Sequence, residues 1–106
     1  QTLTPVEQVQ AFATCAGRFS ALAARQTAMH DPEFNETHKI KTSFEMLLEA
    51  TVDASDTAID TRIWRSYGWS EVASLLKERD RFEDVARSAR AAADLPHTCE
   101  RLILPG

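Results

Sequence analysis

Along most of the chain apolar residues recur every three or four positions, a spacing that predicts helix rather than strand. The first stripe is Phe12, Cys15, Phe19, Leu22, Gln26 and Met29. Its helix opens at Thr4-Pro5-Val6-Glu7, a threonine cap with proline at the first helical position and glutamate three residues after the cap. A second helix is expected from about 32, capped by Asp31, towards 60, with Phe44, Leu47, Leu48, Thr51, Ser55, Ala58 and Ile59 on one face. A third covers roughly 61–79. Asp80-Arg81-Phe82-Glu83 starts a fourth, which carries Phe82, Val85, Ala89, Ala92, Pro96, Cys99 and Ile103 at steps of three and four. Pro96 inside that pattern predicts a kink or a short break.

The third helix breaks the simple rule. Its segment Ile63-Trp64-Arg65-Ser66-Tyr67-Gly68-Trp69-Ser70 puts apolar residues over an arc of about 240°, far wider than one core-facing stripe. Either the helix bends at Gly68, with Ser70 capping a new turn, or one aromatic faces outward. Trp69 is the first choice for the outward residue, near Arg62 and Arg65. The first helix poses a related question: Ala13, Gly17, Ala21, Ala24 and Ala28 lie nearly opposite its Phe/Leu stripe. Small residues at four-residue steps suit a helix sandwiched inside a bundle or a helix-to-helix dimer contact.

Composition sharpens the class. The 106 residues suit one domain, 1–106, and sixteen alanines against three glycines favour helix. A net charge of −4 gives no electrostatic case for nucleic acid. No apolar run reaches the roughly 18 residues of a membrane span. Cys15 and Cys99 are the only cysteines. Two reduced, core-facing thiols would satisfy the pattern. A disulfide is the preferred reading, because both lie on core stripes and the first and last helices of an up-down-up-down bundle are antiparallel neighbours. Such a bond is structural; a redox role favours a close Cys-x-x-Cys pair. The start at Gln1 suits a mature exported chain after signal-peptide cleavage, and a trimmed chain would look the same.

The search for chemistry yields no catalytic, cofactor or metal residues. Glu45, Glu49, Asp53, Asp56 and Asp60 form an acidic ridge read as a solvated outer face, since carboxylates a turn apart on one helix do not converge. His30, His38 and His97 lack the paired Glu-x-x-His motifs of a di-metal bundle and read as structural or solvated. His97 and Cys99 point to different helix faces, and no Gly-x-Ser-x-Gly, phosphate loop or His-Glu-x-x-His occurs. Glu83/Arg87 and Arg90/Asp94 are ordinary helix-surface pairs.

The segments TCAGRFSALA in the first helix and CERLIL near the end resemble small exported helical proteins predicted from proteobacterial genomes. In that group a Cys-Ala-Gly segment in helix one is matched by a late cysteine. The resemblance implies export and a disulfide, and carries over no site residues. In size and single disulfide the chain is also similar to periplasmic acid-stress chaperones, without a shared motif. The expectation is therefore an all-α, antiparallel up-down-up-down four-helix bundle tied by Cys15–Cys99, periplasmic or secreted. It would act as a non-enzymatic binding protein through Trp64, Tyr67 and Trp69, on a protein partner or by self-association through helix one. Alternatives are an acid- or stress-responsive chaperone and a carrier of a small ligand or metal between helices.

Overall fold

A computed structural model describes residues 3–55, 60–81 and 85–102, with the side chains of 53–55, 78–81, 85–89 and 93 outside the description. Among the described residues the chain is all-α: α1 (Pro5–Ala28), α2 (Phe34–Ser55), α3 (Thr61–Arg81), α4 (Val85–His97) and a 3₁₀ turn (Thr98–Leu102). The side chains of Ser55, Ala58, Ile59, Phe82, Val85, Ala89 and Ile103, the Asp80–Glu83 cap, and the acidic residues Asp53 and Asp56 lie outside what is described.

The expected start of α1 forms as a reciprocal cap. The Thr4 hydroxyl accepts from the Glu7 amide at 3.2 Å, and the Glu7 carboxylate accepts from the Thr4 amide at 2.9 Å. Those hydrogen bonds, the backbone one foremost, hold the Glu7 carboxyl below its ordinary range. At the other end His30 takes the left-handed conformation, with φ 54°. Its amide reaches the Thr27 carbonyl at 3.2 Å, and the Asp31 amide reaches the Gln26 carbonyl at 2.9 Å. This pair of bonds is the Schellman closure that glycine usually supplies. His30 is thus a chain-reversal residue. Left-handed backbone is unfavourable for a β-carbon, so His30→Gly is expected to raise stability in a urea melt, by within about 1 kcal/mol after glycine's own entropy loss.

The second helix begins two residues later than expected. Pro32 lies in a turn in which the Asp31 carboxylate accepts from the Glu33 amide at 2.9 Å, and α2 proper starts at Phe34. Asp31 therefore caps the turn, and Pro32 holds no helical position. Asp60 likewise leaves the acidic ridge: its carboxylate accepts from the Arg62 amide at 3.0 Å and from the Arg62 guanidinium at 3.3 Å, capping α3. The Arg62 side chain is the main reason its carboxyl sits below the usual range. Pro96 does not end α4, which continues to His97 before tightening into the 3₁₀ turn. There the Thr98 hydroxyl donates to the Leu95 carbonyl at 2.6 Å.

The core forms around α1. Phe19 stacks on Phe44 of α2 at 5.7 Å, with Phe12 tilted against the same ring at 6.2 Å. Cys15, Ala16 and Cys99 are buried with them. Val9, Ala13 and Leu48 form a second cluster that the half-buried Trp64 closes, and Ala21, Leu22 and Val72 a third, reached by Leu95. The disulfide expected between Cys15 and Cys99 is present, with the Cα atoms 5.8 Å apart, an unstrained separation for the bond. Of the α1 stripe only Met29 misses the core; it is exposed at the helix end.

The most extensive packing is between α1 and α3, and two glycines explain it. A β-carbon on Gly17 would collide with the Arg65 carbonyl, and one on Gly68 with the Thr14 carbonyl. Each glycine thus nests against the carbonyl three residues before the other, and the two backbones come closer than any side chain permits. Glycine Cα–H groups facing carbonyls at a helix crossing add a weak attraction. The proposed bend at Gly68 is therefore corrected: α3 runs unbroken through Gly68, which is a contact point and not a hinge. Of the small face of α1, Ala13, Gly17 and Ala21 are covered, while Ala24 and Ala28 remain exposed.

Candidate functional site

With Gly68 and Val72 fixed against α1, the remaining aromatics of α3 must fall on its flanks. Trp64 is half-buried and meets Tyr67 edge-on, ring centroids 5.4 Å apart. Tyr67 is 56 % exposed and Ile63, one turn before it, 48 %. Trp69 is 44 % exposed but lies about 160° round the helix from Tyr67, counted at 100° per residue. Of the three expected contact residues, Trp64 and Tyr67 come together and Trp69 stands apart. On one continuous helix the wide arc leaves two aromatics outward, Trp69 as expected and Tyr67 more so.

On the Tyr67 flank the Trp64 ring walls a groove of about 430 Å³. Glu7, Gln10 and Thr14 of α1 line one side, Leu102 the other, and the disulfide lies at its base. Arg18 closes one end. Its guanidinium grips both carboxylate oxygens of Glu71 at 3.0 Å and donates to Thr98 at 3.4 Å and to the Cys99 sulfur at 3.5 Å. One forked side chain thereby ties α1, α3 and the 3₁₀ turn together. Sequence reasoning passed over Arg18; its position three residues after Cys15, hence on the same side of α1, was the only signal.

On the Trp69 flank a longer trough follows α3, walled by α2 at the Thr61 end and by α1 along Trp69. α2 packs on α1 and also meets α3, through an ion pair between Arg65 and Glu45 at 2.7 Å and through the cluster that Leu48 shares with Trp64. Three adjoining cavities of about 420, 370 and 350 Å³ follow α3, the first two sharing Arg65 as a wall and the last two sharing Trp69. Glu45 is accordingly no member of an outward ridge. Facing α3, it lets the Arg65 guanidinium neutralise it, whereas Glu49 remains exposed at the trough's edge.

The histidines take structural or solvated places. His38 is exposed and stacks on Phe34 at 5.5 Å, and His97 lies edge-on to Phe19 with Nδ1 2.8 Å from the Glu100 carboxylate. Among the described residues no three His, Cys, Asp or Glu side chains gather as a metal site, and no helix is long and apolar enough to cross a membrane. No protein-family model, curated protein or solved structure matches the chain.

Proposed function

We propose that this is an exported helical protein that works by holding another protein, with no catalytic step of its own. Export rests on the resemblance carried by the two cysteine segments and on a disulfide of the kind that persists in oxidising compartments. The four helices are read as an up-down-up-down bundle. Support comes from contact order: Phe19 meets Phe44 and Val9 clusters with Leu48, whereas Val9 clusters with Trp64 and Ala21 with Val72.

The observation that carries the binding reading is the Trp64–Tyr67 pair: Trp64 lines a preformed groove, and the exposed Tyr67 ring stands edge-on beside it. Aromatic side chains in such positions supply much contact area for little ordering entropy. Among the described residues that line the groove, Glu7 carries a charge with no ion pair, whereas Arg18 is paired with Glu71. The partner segment that fits carries an aliphatic or aromatic side chain beside a lysine or arginine.

A photo-crosslinking amino acid placed at position 67 in the exporting cell tests this. A discrete heavier adduct is expected from position 67 and none from exposed position 39 on α2. The adduct should weaken in Glu7→Gln, which keeps the cap geometry but removes the charge. Equal adducts from both positions, or none from position 67, would overturn the reading.

A further inference from the structure

We infer that the Trp69 flank holds a neutral sugar ring, in a site separate from the Tyr67 groove and for a different class of ligand. Its centre is the cavity of about 370 Å³ that Gly17 and Ser20 of α1 share with Arg65, Ser66, Trp69 and Ser70 of α3. Counted at about 100° per residue, Arg65, Trp69, Ser66 and Ser70 follow one another over about 140° of α3. An indole that is 44 % exposed therefore stands between a guanidinium and two hydroxyls. Gly17, at the crossing of the two helices, adds no side chain to fill the space.

The polar groups around the indole are available. The hydroxyls of Thr14, Ser20, Thr27, Thr42, Ser43 and Thr51 each fold back on the carbonyl four residues before. Those of Ser66 and Ser70 do not, and they have no partner among the described residues. Each keeps a donor and an acceptor, and Ser20, having donated, still accepts. The Arg65 guanidinium gives one N–H to Glu45 at 2.7 Å, while its Nε–H is buried with no partner among the described residues. A buried N–H left unbonded costs stability until an oxygen reaches it.

These features select the ligand. A pyranose has a face of C–H groups, which packs on an indole, and a rim of hydroxyls, which both donate and accept. That rim matches the serines and Arg65 around Trp69. An anion gains less there, because Glu45 already neutralises Arg65. A purely apolar ring would use the indole and leave the Arg65 Nε–H unbonded. One sugar of about twelve non-hydrogen atoms on such an open site is held in the millimolar range.

Saturation-transfer NMR of glucose, galactose, mannose and N-acetylglucosamine with the oxidised chain tests this. At least one of these sugars should take up saturation, most strongly on the C–H protons of one ring face. Trp69→Ala should abolish the transfer. Ser66→Ala/Ser70→Ala, exposed and helix-favouring and therefore safe for the fold, should weaken binding about tenfold. Tyr67→Ala on the other flank should leave it unaltered, and glucuronate should bind no better than glucose. No saturation of any of the sugars, equal saturation in either Trp69→Ala or the double serine variant, or glucuronate bound tenfold tighter than glucose would each overturn the inference. Crosslinking from position 67 is read independently, so the Tyr67 groove stands or falls without this site.

Discussion

Gly68→Ala is expected to lower stability by about 3 kcal/mol or more, as an overpacked core contact does when the neighbour that must move is backbone. The sign is the informative part. At an exposed or hinge position inside a helix, glycine to alanine stabilises by roughly 0.5–1 kcal/mol, because alanine loses less freedom on folding. Here the new β-carbon meets the Thr14 carbonyl, and that carbonyl is fixed in α1. Relief requires α1 and α3 to separate along the crossing, which loosens the Val9–Ala13–Trp64 and Ala21–Val72 contacts on either side. Gly17→Ala should cost about as much by the same mechanism, against the Arg65 carbonyl. The double variant should lose less than both together, since helices already parted at one glycine have room at the other. Urea denaturation of the three variants measures all of this, and a stabilised Gly68→Ala would restore the hinge reading of the segment.

The same glycine shows where the sequence was legible and where it was not. Helix positions, and the core-facing placement of both cysteines, were readable because they follow local rules: caps act over three residues, and stripes repeat every three or four. Thr4 with Glu7, and Ala92–Pro96–Cys99 on one buried face, follow such rules. Gly68 defeated local reading, because a glycine that permits a bend and one that permits a backbone crossing look alike until the facing helix is known. Small residues at Ala13, Gly17 and Ala21 indicated that some helix would pack there, but not which one. The acidic ridge failed for a related reason. Glu45 and Glu49 are one turn apart, yet the Arg65 guanidinium comes from a different helix and turns the first into an inter-helix bridge. The late start of α2 came from Asp31 capping a turn first, a choice that Asp-Pro-Glu leaves open.

The disulfide should carry the largest single share of the fold's stability. It spans 84 residues, nearly the described chain, and the loop-closure model assigns a bond of that span about 4.5 kcal/mol. A domain of this size has in total about 5–15 kcal/mol, so its loss approaches the threshold of folding. Cys15→Ala/Cys99→Ala should lose about 2–5 kcal/mol in a urea melt, alanine keeping the buried site beside Phe19 and Phe44 apolar. The slope of the melt should steepen as well, because the unlinked denatured chain exposes more surface. Release should be uneven in space. Beyond His97 the 3₁₀ turn is held to α1 by the bond and by the Arg18 contacts with Thr98 and Cys99, so its amides should exchange first. A change under about 1 kcal/mol with the slope unaltered would mean that the denatured chain is held compact without the bond. A full loss would agree with the proposed export, since disulfides persist in oxidising compartments.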